Sequence, residues 1–170
     1  MIQPAKARRL RPNMPHYGVM PGDVDGMLTW DWVDRQMHEA RNYWICSVCA
    51  DGRPHSVPVW GVWVEGVLYF GTDNNSVKAR NIARDNRVVI QLESGDETVI
   101  FEGRAVEAMV PEALLKKITA RYVEKYVLDP ELEESGDLLL RLLPRRVMAW
   151  LERDYPATAT CWLFDVGPLN

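Results

Sequence analysis

Histidine and cysteine are scarce in this chain, with three of each among 170 residues. His16, His38 and His55 are scattered and form no metal-ligand cluster, so no metal site is expected. Three cysteines are an odd number, and the opening MIQPAKARRLRPN lacks the apolar segment that a secretory leader places behind its basic residues. Reduced thiols and a soluble, cytoplasmic protein are the expectation. No apolar run approaches a membrane span, so no membrane partner is expected. A basic excess is missing too: 20 Lys and Arg face 24 Asp and Glu, for a net charge of −4. That balance speaks against nucleic acid as a partner, because binding a phosphate backbone needs a basic field. Also absent are a G-x-G-x-x-G after a strand, a phosphate loop ending in Gly-Lys-Ser/Thr, a G-x-S-x-G elbow and any internal repeat.

What is present is an ordinary globular balance, 47% hydrophobic and 26% charged, in a chain long enough to bury one core without disulfides or metal. Residues 1–30 hold Pro4, Pro12, Pro15 and Pro21 with no sustained period and read as an N-terminal arm, extended and ordered where it lies on the body or on a second subunit. Its basic residues Lys6, Arg8, Arg9 and Arg11 read as a solvated cluster rather than a phosphate site. Residues 31–170 read as a single domain. Cys46 and Cys49 have a C-x-x-C spacing, but within a strand-like Trp44-Ile-Cys-Ser-Val-Cys-Ala, where positions three apart point to opposite faces. They read as small buried apolar residues, not as a redox or zinc pair.

The periodicity predicts a helix over 31–42, with Trp32, Val33, Gln36, Met37 and Ala40 on one face. Strands follow over 43–50, 55–64 and 67–72, turning at Asp51-Gly52 and Glu65-Gly66. Pro54 and Pro58 cannot donate ladder hydrogen bonds, so an edge, bulge or barrel corner is expected near Pro58. A short helix over 76–84 leads to strands over 87–93 and 98–108 around Ser94-Gly95-Asp96, with Gly103 marking a bend or a close approach. Pro111 opens a helix to about Val127, with Leu114, Leu115, Ile118 and Tyr122 on one face. An acidic loop over 129–137, an apolar stretch over 138–143 and closing strands over 146–151 and 159–165 complete the chain. Hairpin-linked strands with inserted helices indicate a mainly β protein, an antiparallel barrel rather than a parallel doubly wound sheet.

The stretch from Arg53 to Asp85 organises the rest. Its paired strands offer a flat apolar surface, and the helix that follows presents unpaired backbone N–H groups, the Ser76 hydroxyl and the Lys78 ammonium to an anion. That pairing suits a flavin-like cofactor, although a capping serine followed by an exposed lysine also occurs without any ligand. Trp60 and Trp63 lie three apart on a strand, so one lines a pocket and the other belongs to the core or a subunit interface. His55 reads as a polar strand-end residue, Arg84 as solvated, and Arg80 is left open.

These residues resemble the split β-barrel family of pyridoxamine 5′-phosphate oxidase and its flavin- and deazaflavin (F420)-dependent relatives. The resemblance runs through Asp51-Gly52-Arg53-Pro54-His55, Pro58-Val59-Trp60, Tyr69-Phe70-Gly71-Thr72 and, most specifically, Ser76-Val77-Lys78-Ala79-Arg80-Asn81-Ile82. It continues in Asp85-Asn86-Arg87-Val88, Phe101-Glu102-Gly103-Arg104-Ala105, Val147-Met148-Ala149-Trp150 and Asp154-Tyr155-Pro156. It implies an FMN-binding split barrel and a homodimer with the cofactor, F420 or FMN, at the subunit interface. It also implies phosphate contacts from Ser76, Lys78, Ala79, Arg80 and Asn81, and ring contacts from Val57, Pro58, Val59, Trp60, Phe70, Gly71 and Thr72. Cys161 and Leu163 stand where the F420-type branch tends to carry arginine, and the Trp-Arg and Arg-x-Glu signature of true pyridoxamine phosphate oxidases is lacking. The implied function is an oxidoreductase that moves a hydride between bound F420 or FMN and a small unsaturated organic substrate. The alternative is a non-catalytic carrier of flavin, F420 or haem on the same fold. No residue is assigned as a catalytic acid or base.

Overall fold

The structure, a computed structural model, describes residues 7–22, 24–127 and 137–165. Nine strands form one sheet: β1 (Ala7–Leu10), β2 (Asn42–Val48), β3 (Pro54–Trp60), β4 (Val62–Val64), β5 (Val67–Asp73), β6 (Arg87–Gln91), β7 (Glu97–Glu107), β8 (Asp137–Leu151) and β9 (Thr160–Phe164). The helices are α1 (Trp30–Glu39), α2 (Val77–Arg84), α3 (Glu112–Tyr126) and the single turn α4 (Tyr155–Thr158). The hydrogen-bonded path runs β1-β9-β8-β7-β6-β2-β3, while β5 pairs with β4 and β8. Every pairing is antiparallel. The sheet rolls up without closing, because β3 ends the path and has no ladder to β5. This is a split barrel.

The alternation within strands sets the inside. Ile45, Ile90, Phe101, Val147 and Trp162 follow one another across β2, β6, β7, β8 and β9 in register, and all are buried. Val33 and Met37 of α1 join the same core, and Trp30 covers its β9 end with edge-on contacts to Phe101, Trp162 and Phe164. A second, smaller core under α3 contains Val62, Val67, Tyr69, Ile118 and Tyr126.

Several expectations are corrected. The first helix stops at Glu39, and Asn42 already belongs to β2. The β2–β3 hairpin closes through a three-residue loop with Cys49 N–H on the Arg53 carbonyl (2.8 Å) and Gly52 at φ 85°, not through a two-residue turn. The strand predicted over 55–64 breaks at Gly61, while the two prolines sit on the free edge strand β3, where a missing donor costs least. Leu115 is 44% exposed, and the buried face of α3 is carried by Ile118, as expected, together with Tyr126. The two apolar stretches flanking Pro144 are one strand, β8. Its first half pairs with β5, its second half with β9, and β7 runs along both. Pro144 falls where the neighbour changes, so its missing N–H interrupts little. Of the expected acidic loop, residues 129–136 lie outside the described residues.

The arm is laid along the sheet: β1 pairs with β9 from Ala7↔Phe164 to Leu10↔Cys161. Arg11 is not solvated but 4% exposed, its guanidinium donating to the carbonyls of Asp25, Pro156, Ala157 and Ala159 at 2.5–3.2 Å. No helix among the described residues is long and apolar enough to cross a membrane.

Candidate functional site

The split opens where β3 and β5 part company. At Gly61 a Cβ would sit 2.9 Å from the Tyr69 carbonyl and 3.2 Å from Leu68 and Tyr43, so only glycine lets the strand pass this closely. Beyond it β4 stays paired with β5 through Glu65 and Gly66, both at positive φ (51° and 75°). Before it β3 diverges, and two tyrosine hydroxyls from α3 occupy the fork. Tyr126 accepts from Gly61 N–H (2.8 Å) and reaches the carbonyls of Arg41 (2.7 Å) and Gly61 (3.0 Å). Tyr122 accepts from Gly71 N–H (3.0 Å) and reaches the Trp60 and Tyr69 carbonyls (3.3 Å each). Backbone groups that a closed barrel would pair strand to strand are thus satisfied by side chains. Trp60, 50% exposed, stacks on Tyr126 with ring centroids 4.5 Å apart and planes 10° apart.

The other end of the split is the start of α2. Ser76 caps it in an extended conformation, its Oγ accepting from Ala79 N–H (3.1 Å) and bonding Thr72 Oγ (2.9 Å). Lys78, half-buried in the first turn, has no hydrogen-bond or ion-pair partner among the described residues. The Arg80 guanidinium folds back onto the Asn75 carbonyl. Asn81 is buried and donates to Ser47 Oγ (3.1 Å) and Cys49 Sγ (3.7 Å), so it fastens α2 to β2.

Thr72, Ser76 and Lys78 therefore lie together at the helix start, with Pro58, Trp60 and Gly71 along the split above. Gly71 is exposed, with open space where a Cβ would be. Val59, Phe70 and Ala79, expected as contacts, turn their side chains into the core. Along β5 the alternation sends Phe70 inward and leaves Gly71 outward, so these residues reach the split only through their backbone. Val57 is half-buried. Cys46 and Cys49 are half-buried rather than buried and take separate partners, Ser56 Oγ and Asn81.

Lys125 and Tyr126 were not singled out in the sequence. The Lys125 ammonium donates to the Gly61 carbonyl (2.6 Å) and to Tyr43 Oη (3.2 Å), 4.5 Å from the Tyr43 ring centroid. Burial first, then the charges of Arg121 and Arg41, lower its pKa from 10.5 to about 8. Burial likewise raises Tyr43, with Tyr126 and Tyr122 adding to it, and raises Tyr126 and Tyr69. The fork is lined by neutral phenols. Tyrosines four apart on one helix face were the only sequence signal for it.

The sequence matches the family model of pyridoxamine 5′-phosphate oxidase over residues 31–151. The chain belongs to that family. No curated protein matches it. Among solved structures it resembles the conserved hypothetical protein Rv2991 of Mycobacterium tuberculosis (26% identity, TM-score 0.67, covering 77% of this chain and 89% of that one). It also resembles an F420 reductase (22%, TM-score 0.53, 67% and 94%). A third likeness is to HutZ, the heme storage protein of Vibrio cholerae (19%, TM-score 0.55, 69% and 90%).

Proposed function

We propose that this protein is a cytoplasmic homodimer that binds F420 or FMN at the β3–β5 split and transfers a hydride between it and a small unsaturated organic substrate. The observation that carries the reading is Lys78: a cation without a protein partner among the described residues, in the first turn of a capped helix, at the mouth of a split where β3 pairs with β2 on one side and has no ladder to β5 on the other. Val77 and Lys78 N–H groups have no intrahelical acceptor, as at any helix start, and add to the positive field. The bound cofactor would supply the hydride chemistry. The chain would contribute the rest: Lys78, with Ser76 and Arg80, holds the anionic end, and Pro58, Trp60 and the open Gly71 backbone flank the flat ring. Thr72 orients the Ser76 hydroxyl. Gly71 N–H is held by Tyr122, so α3 fixes the wall against which a ring rests. Family membership and the likeness to an F420 reductase support a cofactor role. Dimerisation is supported by an apolar outward sheet face, where Trp44, Ile100 and Met148 fall in one cross-strand row and are only half-buried.

The test is equilibrium binding of F420 and FMN side by side, to the wild type and to Lys78→Ala. Loss of one charge-assisted contact is expected to weaken the preferred cofactor by about tenfold or more. No binding of either cofactor sinks the proposal. Tight binding with no turnover across a panel of acceptors makes the protein a carrier.

A further inference from the structure

We propose that a second site, in the groove between β2, β6, β7 and the bulged part of β8, binds a small organic anion with an apolar body. The groove has a volume of about 670 Å³ and includes none of the residues at the split. That volume is in the range of small-molecule sites. Val48, Val89 and Leu143 supply its apolar lining, and Arg87, Arg104 and Arg145 its cations.

The charge balance singles out two of these arginines. Asp85 and Glu102 also line the groove, but each is already matched. Arg87 holds Asp85 through several bonds, the shortest 2.5 Å, and Arg146 holds Glu102 at 2.5 Å. Arg104 and Arg145 are exposed and have no hydrogen-bond or ion-pair partner among the described residues. An adjoining hollow of about 270 Å³ shares Arg87 and Arg104 and adds Arg84. Four guanidinium groups thus gather on one flank of a chain whose net charge is −4.

The placement of Arg145 is built into the backbone. Glu102 pairs with Arg146 and Gly103 with Pro144, which leaves Arg145 as the extra, unpaired residue of a bulge. Bulges re-aim side chains, and this one directs a guanidinium to the groove. Its counterpart must be glycine, because a Cβ at Gly103 would stand 2.2 Å from the Leu143 carbonyl oxygen. Two free guanidinium forks beside an apolar lining match a carboxylate or phosphate head on a hydrophobic body. The site lies past the far end of α2 from Ser76, roughly 12 Å along that helix.

The experiment is titration calorimetry of the full chain with 1-naphthyl phosphate and 1-naphthoate, beside inorganic phosphate and 1-naphthol as head-only and body-only probes. At least one naphthyl anion is expected to bind, at least tenfold tighter than either partial probe. The double variant R104A/R145A is expected to weaken it at least tenfold while leaving F420 and FMN binding unchanged. Which head binds tells a carboxylate ligand from a phosphorylated one. Both positions are exposed, and an unchanged melting curve verifies folding; Arg104→Lys with Arg145→Lys provides a second, milder pair that should recover part of the affinity. The proposal is overturned if neither anion binds, if inorganic phosphate binds equally well, if the arginine variants bind like wild type, or if Lys78→Ala abolishes binding instead.

Discussion

Lys125 illustrates how a single side chain couples the fork of the barrel to pH. Its ammonium is partly withdrawn from water and faces Arg121 and Arg41, which lowers its pKa from 10.5 to about 8. The unfolded chain therefore binds more protons than the folded one between these values, and stability rises with pH across that window. Below about pH 8 both states carry the charge and the fold bears the whole penalty. Denaturant titrations from pH 7 to 10.5 should show this gain, and Lys125→Met should flatten it; an unchanged slope in the variant would sink the assignment. At this scale the sequence was informative where the chemistry is local. Ser76 is the cap expected from a serine before a helix, and Trp60 and Trp63 do face opposite ways, 50% and 6% exposed. Residues whose role is set by distant partners were not legible. Arg11 binds carbonyls some 145 residues away, and Tyr126 binds Gly61, so nothing beside them in the chain betrays the contact.

Among the elements, β8 shows what a composition-based reading misses. A proline in the middle normally ends a strand, yet here it falls where β5 gives way to β9 as the neighbour. The bulge beside it turns one strand into two usable halves, one carrying β5 and the other carrying β9. Gly103 is the counterpart of that turn. Gly103→Ala should cost on the order of 3 kcal/mol in chemical denaturation, because the clash is with backbone that cannot rotate away. A loss under about 1 kcal/mol would mean that the bulge relaxes freely. Turns and helix ends were legible because their signals are short: Glu65-Gly66 adopts the left-handed pair its residues permit, and α2 keeps the limits set by Ser76 and Arg84. The four-residue β1 was not, since ARRL has no period and gains its place by pairing with β9.

For the whole molecule, the outward side of the sheet carries two rows that cross several strands. One runs Trp44, Gln91, Ile100, Met148, Cys161 and Leu10; the other runs Cys46, Val89, Glu102, Arg146, Leu163 and Arg8. The first is largely apolar, and the second places one ion pair at its centre. The first row favours association with a second copy, while Cys46, Val89 and Glu102 of the second line the anion groove. Sedimentation should find the wild type as a dimer, and Met148→Glu should shift it toward monomer by at least tenfold in dissociation constant; a monomeric wild type at micromolar concentration would sink the dimer. The barrel itself was legible from hairpin spacing. Its split was implied by the family resemblance, and among the residues themselves was foreshadowed by Pro54 and Pro58, because which strands fail to pair is decided by the roll of the sheet.

The exposed stack at the fork also has an optical side. Of seven tryptophans, Trp63 and Trp162 are buried and Trp30, Trp32, Trp44 and Trp150 are half-buried, while Trp60 stands 50% open against a phenol ring. Its indole alone is broadly open to water, so the long-wavelength edge of the intrinsic fluorescence, and the part that a soluble quencher extinguishes first, are expected to come from the mouth of the split. The protein carries a built-in reporter at the place where a flat ring would arrive.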